Sequence, residues 1–194
     1  MRDKKQKKFD TQRWFDYNEC FQMNGLKAGD KIIYPNQGIG VVEKIQEENY
    51  FGESFRIFHV RIIANDTLVL VPSSNTQEIG IRKPISEGAV ENIFKLMSNG
   101  IVDVTMNWKG RYKEHVNLMK SGQMMDMVLV LKSLYYLNMI KPLSFREKKM
   151  MEKAKDLIVT EISEVSDAPS DLIEERIMDS LSICFKDIVP RFDS

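Results

Sequence analysis

Between Gly29 and Val71 the apolar residues fall in short runs rich in Val, Ile, Phe and Tyr: Lys31–Pro35, Ile39–Ile45, Ser54–Ile63 and Thr67–Val71. β-Branched and aromatic side chains suit a pleated, half-buried surface, so each run predicts a strand. Turn formers separate the runs: Gly29-Asp30 ahead of the first, Pro35-Asn36-Gln37-Gly38 after it, then Gly52 and Asn65-Asp66. In the third run the apolar set slips from odd positions (Phe55, Ile57) to even ones (Phe58, Val60, Ile62), which predicts a bulge in that strand. Several short antiparallel strands in so brief a stretch predict a small SH3- or Tudor-like β-barrel.

After Pro84 the spacing turns helical. Ser86 is placed to cap a helix carrying Ala89, Val90, Ile93, Phe94, Leu96 and Met97, closed by Asn99-Gly100. Asn107 is placed to cap a second helix that stops at Ser121-Gly122. Gln123–Met139 is apolar nearly all round, as expected of a helix at the centre of a bundle. Ser144 followed three residues later by Glu147 is a capping-box pattern. It opens a helix whose apolar stripe is Met150, Met151, Ala154, Leu157, Ile158, Ile162 and Val165. Pro169 begins a last helix with Leu172, Ile173, Ile177, Leu181 and Cys184 on one face. The fold class is therefore α+β: a basic and aromatic arm over residues 1–24, a small β-barrel over 25–83, and an all-helical domain over 84–190, with the boundary between Ile79 and Ser86.

The formal net charge is zero, with 28 basic and 28 acidic residues, yet it sums unlike pieces. Residues 1–13 carry +4, residues 14–107 carry −4, residues 108–155 carry +7 and residues 161–187 carry −6. Such segregation suits a polyanion-binding face beside an acidic one, or else an ordinary solvated helical surface with pairs such as Lys148–Glu152. No apolar run approaches the ~20 residues that cross a bilayer. The two cysteines, Cys20 and Cys184, form no CxxC pair, and two histidines leave little material for a metal site. A cytoplasmic, nucleoid-associated chain without cofactor or metal is expected.

Enzyme signatures are missing. There is no GxxxxGK[ST] phosphate loop, no GxSxG elbow, and Gly38-Ile39-Gly40 lies in a strand hairpin with no helix after it. His59 falls within a strand, where a structural or surface place outweighs catalysis, and His115 within a basic helix, where a phosphate contact and a plain surface position weigh equally. The carboxylate pairs Glu47-Glu48 and Glu174-Glu175 read as exposed charge.

The densest mixture of cation and aromatic is Asn107-Trp108-Lys109-Gly110-Arg111-Tyr112-Lys113. On a helix Lys109, Lys113 and Lys120 fall within ~40° of one another, with Trp108 ~100° away at the first turn. Free backbone N–H groups, lysines and a flat apolar side chain at a helix start suit DNA: amides and lysines hold phosphates while the indole wedges against an opened base step. The same residues fit a second role, because Trp108, Tyr112, Val116 and Met119 share one stripe and describe a core anchor. The pattern alone leans slightly to the core.

Beyond the pattern, the chain from Gly29 to about Leu181 resembles the CarD/CdnL family of bacterial transcription regulators. Gly29-Asp30-Lys31-Ile32-Ile33-Tyr34-Pro35 with Gly38 and Gly40, then Val71-Pro72 and Gly80-Ile81-Arg82, is similar to the family's polymerase-interacting domain, shared with transcription–repair coupling factors. The helical half resembles the family through Asn107-Trp108, Arg111-Tyr112-Lys113, Lys120-Ser121-Gly122, Leu143-Ser144 and Glu147-Lys148. The resemblance implies a monomer without enzymatic activity that docks its barrel on the RNA polymerase β subunit and lays its helices over promoter DNA near the −10 element. It implies that Trp108 wedges into the minor groove at the fork of the bubble, with Lys109, Arg111, Lys113, Lys148, Lys149 and Lys153 on phosphates. It places the polymerase-facing positions at Glu48, Asn49, Tyr50 and Leu70. Glu48 and Leu70 stand where relatives often carry arginine, so the polar contact is open to relocation onto Arg61 or Arg56. A pure protein-interaction module on polymerase, without direct DNA contact, is the alternative reading.

Overall fold

Strands β1 (Lys31–Tyr34), β2 (Gly38–Tyr50), β3 (Glu53–Ile62) and β4 (Thr67–Pro72) pair antiparallel in the order of the chain. The computed structural model describes residues 25–50, 53–99 and 108–186, with the backbone alone at Tyr50, Glu53, Trp108 and Lys109. The arm at 1–24 and the cap position Asn107 lie outside the described residues. Ile32, Val42, Phe58, Val60, Ile62 and Val71 point to one side and form a core with Leu26 and Ile81. The close approach of strands fixes one glycine: a Cβ on Gly40 would stand 2.5 Å from Val60 Cγ1. A single bridge, Ile33 to Arg82, extends the sheet past β1.

The irregularity expected in β3 lies in its neighbour. The register slips between Val42 and Lys44 of β2, opposite Val60 and His59, while β3 pairs β4 without a break from Ile57 to Ile62. Phe55 and Ile57 are half-buried on the outer face, so the odd-to-even change in β3 is a change of apolar face, with no extra residue. β2 also runs on to Tyr50, five residues past the predicted end, because Gln46–Asn49 pair with Ser54–Ile57 despite their low strand propensity.

The helical part follows a 3₁₀ turn (Ser73–Asn75) and a short helix α1 (Thr76–Ile79) that the apolar spacing did not show. Then come α2 (Glu87–Ser98), α3 (Trp108–Ser121), α4 (Met124–Ile140), α5 (Phe145–Ser166) and α6 (Ser170–Phe185). Val90, Phe94 and Met97 of α2, Val128, Leu131 and Leu134 of α4, Ile158 and Ile162 of α5, and Ile177 and Leu181 of α6 share one core. α4 is buried nearly all round, as its composition predicts. Leu172 was expected on the buried face of α6 but is 58% exposed, because it lies ~100° off the Ile173–Ile177–Leu181 line. Among the described residues no helix is long and apolar enough to cross a membrane.

Candidate nucleic-acid interface

Two helix starts build the site. Ser144 caps α5 in a full capping box: its hydroxyl accepts from the Glu147 backbone N–H, and its own N–H donates to Glu147 Oε2 at 3.0 Å. The other Glu147 oxygen accepts from Arg111 Nη2 at 2.7 Å, one turn into α3. Both side chains are buried, Arg111 at 2% exposure and Glu147 at 6%. This pair joins the first turn of α3 to the first turn of α5 and brings two segments 36 residues apart into one surface.

The electrostatics follow from burial. Desolvation pushes the Glu147 carboxyl up, but hydrogen bonds from Arg111 and Ser144 and the Arg111 charge outweigh it and hold the group at about 2. His115, one turn beyond Arg111, is pushed down to about 4, by its own burial first and by the Arg111 charge second. It is a neutral, buried packing residue, neither a surface group nor a phosphate ligand.

Arg111 must therefore be moved from the expected phosphate set to the structural one. Its guanidinium faces inward to Glu147, and Arg111, His115 and Met119 form the buried face of α3. Lys113 and Lys120 are exposed on α3, and Lys148, Lys149 and Lys153 are exposed on α5, with Arg146 beside them. Trp108 and Lys109 open α3, where only their backbone is described. One residue that sequence reasoning missed stands among the cations: Phe145, the first residue of α5, is 70% exposed with Lys149 Nζ 4.7 Å from its ring centroid. Its signal was present in the sequence, because Phe145 directly follows the cap and falls off the stripe that begins at Met150.

The expected polymerase-facing positions divide. Leu70 is 57% exposed on β4, the edge strand, and Leu68 beside it is 43% exposed. Leu70 pairs with His59, and Glu48 with Phe55, so Leu70 and Glu48 share the outer face, set apart by ~13 Å along β3. Asn49, opposite Ser54, is on the other face, and for Tyr50 only the backbone is described. Glu48 accepts from Gln46 Nε2 at 2.7 Å. Arg61 is paired with Glu43 and Arg56 with Glu47, both at 2.9 Å.

A model of the CarD C-terminal domain matches residues 92–178, and a model of the CarD-like/TRCF RID domain matches residues 26–85. The chain belongs to the CarD-like family. Among its relatives is a Bacillus subtilis (strain 168) protein described as "Putative transcription factor YdeB", 28% identical over 137 residues, which are 71% of this chain and 90% of that protein. Family membership brings transcription regulation through contact with RNA polymerase as the general setting.

Proposed function

We propose that this CarD-like chain bridges the RNA polymerase β subunit and the upstream fork of the promoter bubble, and that it stabilises the open complex without reading sequence or catalysing a reaction. The observation that carries the reading is the pinning of α3 to α5 by Arg111 and Glu147. It sets the first turn of α3, which holds Trp108 and Lys109, beside the first turn of α5, which carries exposed Arg146, Lys148 and Lys149 and the exposed ring of Phe145, with Lys153 further along α5 and Lys113 on the outer side of α3. Diffuse cations with flat apolar groups supply phosphate affinity and a wedge, and they carry no base code. The polymerase contact is assigned to the outer face and outer edge of β4, through Leu70 and Leu68 with Glu48 at its flank; among the described residues no further strand pairs with that edge, and strand edges of this kind offer pairing to another chain. The reading makes the working form a monomer joined to one polymerase.

The test is a pull-down of the β subunit followed by an open-complex lifetime assay. Trp108→Ala is expected to keep its melting temperature and polymerase binding while losing the lifetime gain. Unfolding of that variant would assign Trp108 to the core instead. The second reading, a protein-only module, draws on exposed Leu172 and Ile183 on acidic α6. It is favoured if the full chain on polymerase leaves forked promoter DNA without a crosslink to α3 or α5.

A further inference from the structure

Arg82 belongs to the β-domain by its backbone and to the helical domain by its side chain. Its N–H and C=O pair with Ile33 of β1, at 3.2 and 2.7 Å. Its guanidinium crosses the seam: Nη1 and Nη2 donate to the two oxygens of Glu161 on α5 at 2.6 and 2.8 Å, and Nε donates to the Gly122 carbonyl at 2.8 Å. Glu161 is 1% exposed and also accepts from the Ile85 N–H at 3.0 Å, so it holds the connecting segment as well. One planar fork thus addresses the sheet, α5 and the turn between α3 and α4 at once.

The surrounding packing leaves no slack. Gly122 sits at φ +69°, and a Cβ there would come within 2.8 Å of Pro35. Gly38 of β2 lies against Leu157 of α5, and Lys31 is ion-paired with Glu164 further along α5. One cleft along the seam, lined by Ile33, Pro35, Gly122, Leu157 and Glu161 among others, holds about 10 Å³. Close-packed seams of this kind hold one arrangement and resist sliding.

We propose that Arg82 and Glu161 are positioning residues that lock the β-domain to the helical domain as one rigid gauge, so that the span from the β4 edge to the cationic helix starts is set before either partner is met. The functional half of this inference rests on the promoter reading above. Two linked contacts act together only when the linkage presents both at the right separation, and a stiff link of matched span gives the largest effective concentration. Neither residue touches DNA or polymerase in this scheme; each acts through the angle between the modules.

The experiment uses the full chain with Cys20→Ser and Cys184→Ser, and spin labels at Asn65→Cys and Ser182→Cys. The parent is expected to give one narrow inter-label distance, and Arg82→Gln and Glu161→Gln a broad one. In open-complex assays on unlabelled protein, Arg82→Gln is expected to lose about tenfold of the lifetime gain while binding of isolated β subunit and of duplex DNA stays within about twofold. A short bis-maleimide bridge between Lys31→Cys and Glu164→Cys, added to Arg82→Gln, is expected to restore the lifetime without restoring the ion pair. Should Arg82→Gln fail to fold, Glu161→Gln, which keeps an acceptor for the Ile85 N–H, carries the same comparison. An unchanged distance distribution, or a lifetime that the bridge does not restore, overturns the gauge. A parent protein that never lengthens the open complex, with the label result intact, sinks the promoter reading and leaves the gauge standing.

Discussion

Arg111 and Glu147 form a buried ion pair, at 2.7 Å, between the first turns of two helices whose outer surfaces are cationic. A charge taken out of water costs several kcal/mol unless its partner is well placed, and here the capping box holds the carboxylate from the other side. Arg111, the first basic side chain described in α3, thus shapes the surface from within, and in the proposed reading phosphate contact falls to the lysines.

Acid should weaken this fold in two stages. His115 is held below its ordinary range, so the folded state binds fewer protons than the unfolded chain, and its contribution erodes as pH falls from about 6.5 toward about 4. Glu147 is also depressed; its contribution is full above the ordinary carboxylate range and is lost between about 4.5 and about 2. Together they should remove on the order of 3–5 kcal/mol by pH 3. Thermal melts from pH 8 to 3 check this, and His115→Gln should flatten the upper stage while leaving the lower one.

Salt separates structural cations from ligand cations. Each phosphate contact contributes ~0.9 to the slope of log K against log salt, so Lys148→Gln, Lys149→Gln and Lys153→Gln combined should lower that slope by about 2–3 for duplex DNA, with little change in melting temperature. Arg111→Ala should do the reverse, costing roughly 3–5 kcal/mol of stability by leaving Glu147 buried and unpaired. Fluorescence titration and denaturant unfolding of both variants read the two effects.

Leu70 is exposed on an edge strand, so Leu70→Glu should leave folding within about 0.5 kcal/mol of the parent. If the proposed polymerase contact runs over the outer face of β4, the substitution should weaken association with the isolated β subunit by at least about tenfold. Calorimetric titration measures it. Unchanged affinity would move the contact off the β4 face.

What could be read from the residues was whatever depends on near neighbours. The switch from strand to helix spacing at Pro84, the Ser144–Glu147 box and the all-round apolar α4 are local patterns, and all three stand in the fold. The inward turn of Arg111 was hidden because its partner, Glu147, lies 36 positions away and leaves no trace in helical periodicity, and the burial of His115 one turn on follows the same face of α3. The Val42–Lys44 slip was hidden for a similar reason, since an extra residue shows only against its partner strand. Leu172 was assigned to the core by residue type, where the phase of Ile173, Ile177 and Leu181 decides.

Lys132 adds a last consequence. This buried lysine of α4 donates to the carbonyls of Leu96 and Asn99, both at 2.7 Å, and so fixes the point where the chain leaves α2. With Asn99 held through Lys132 and Arg111 held through Glu147, the end of α2 and the first turn of α3 are each tethered to a different helix, so losing one tether leaves the other in force.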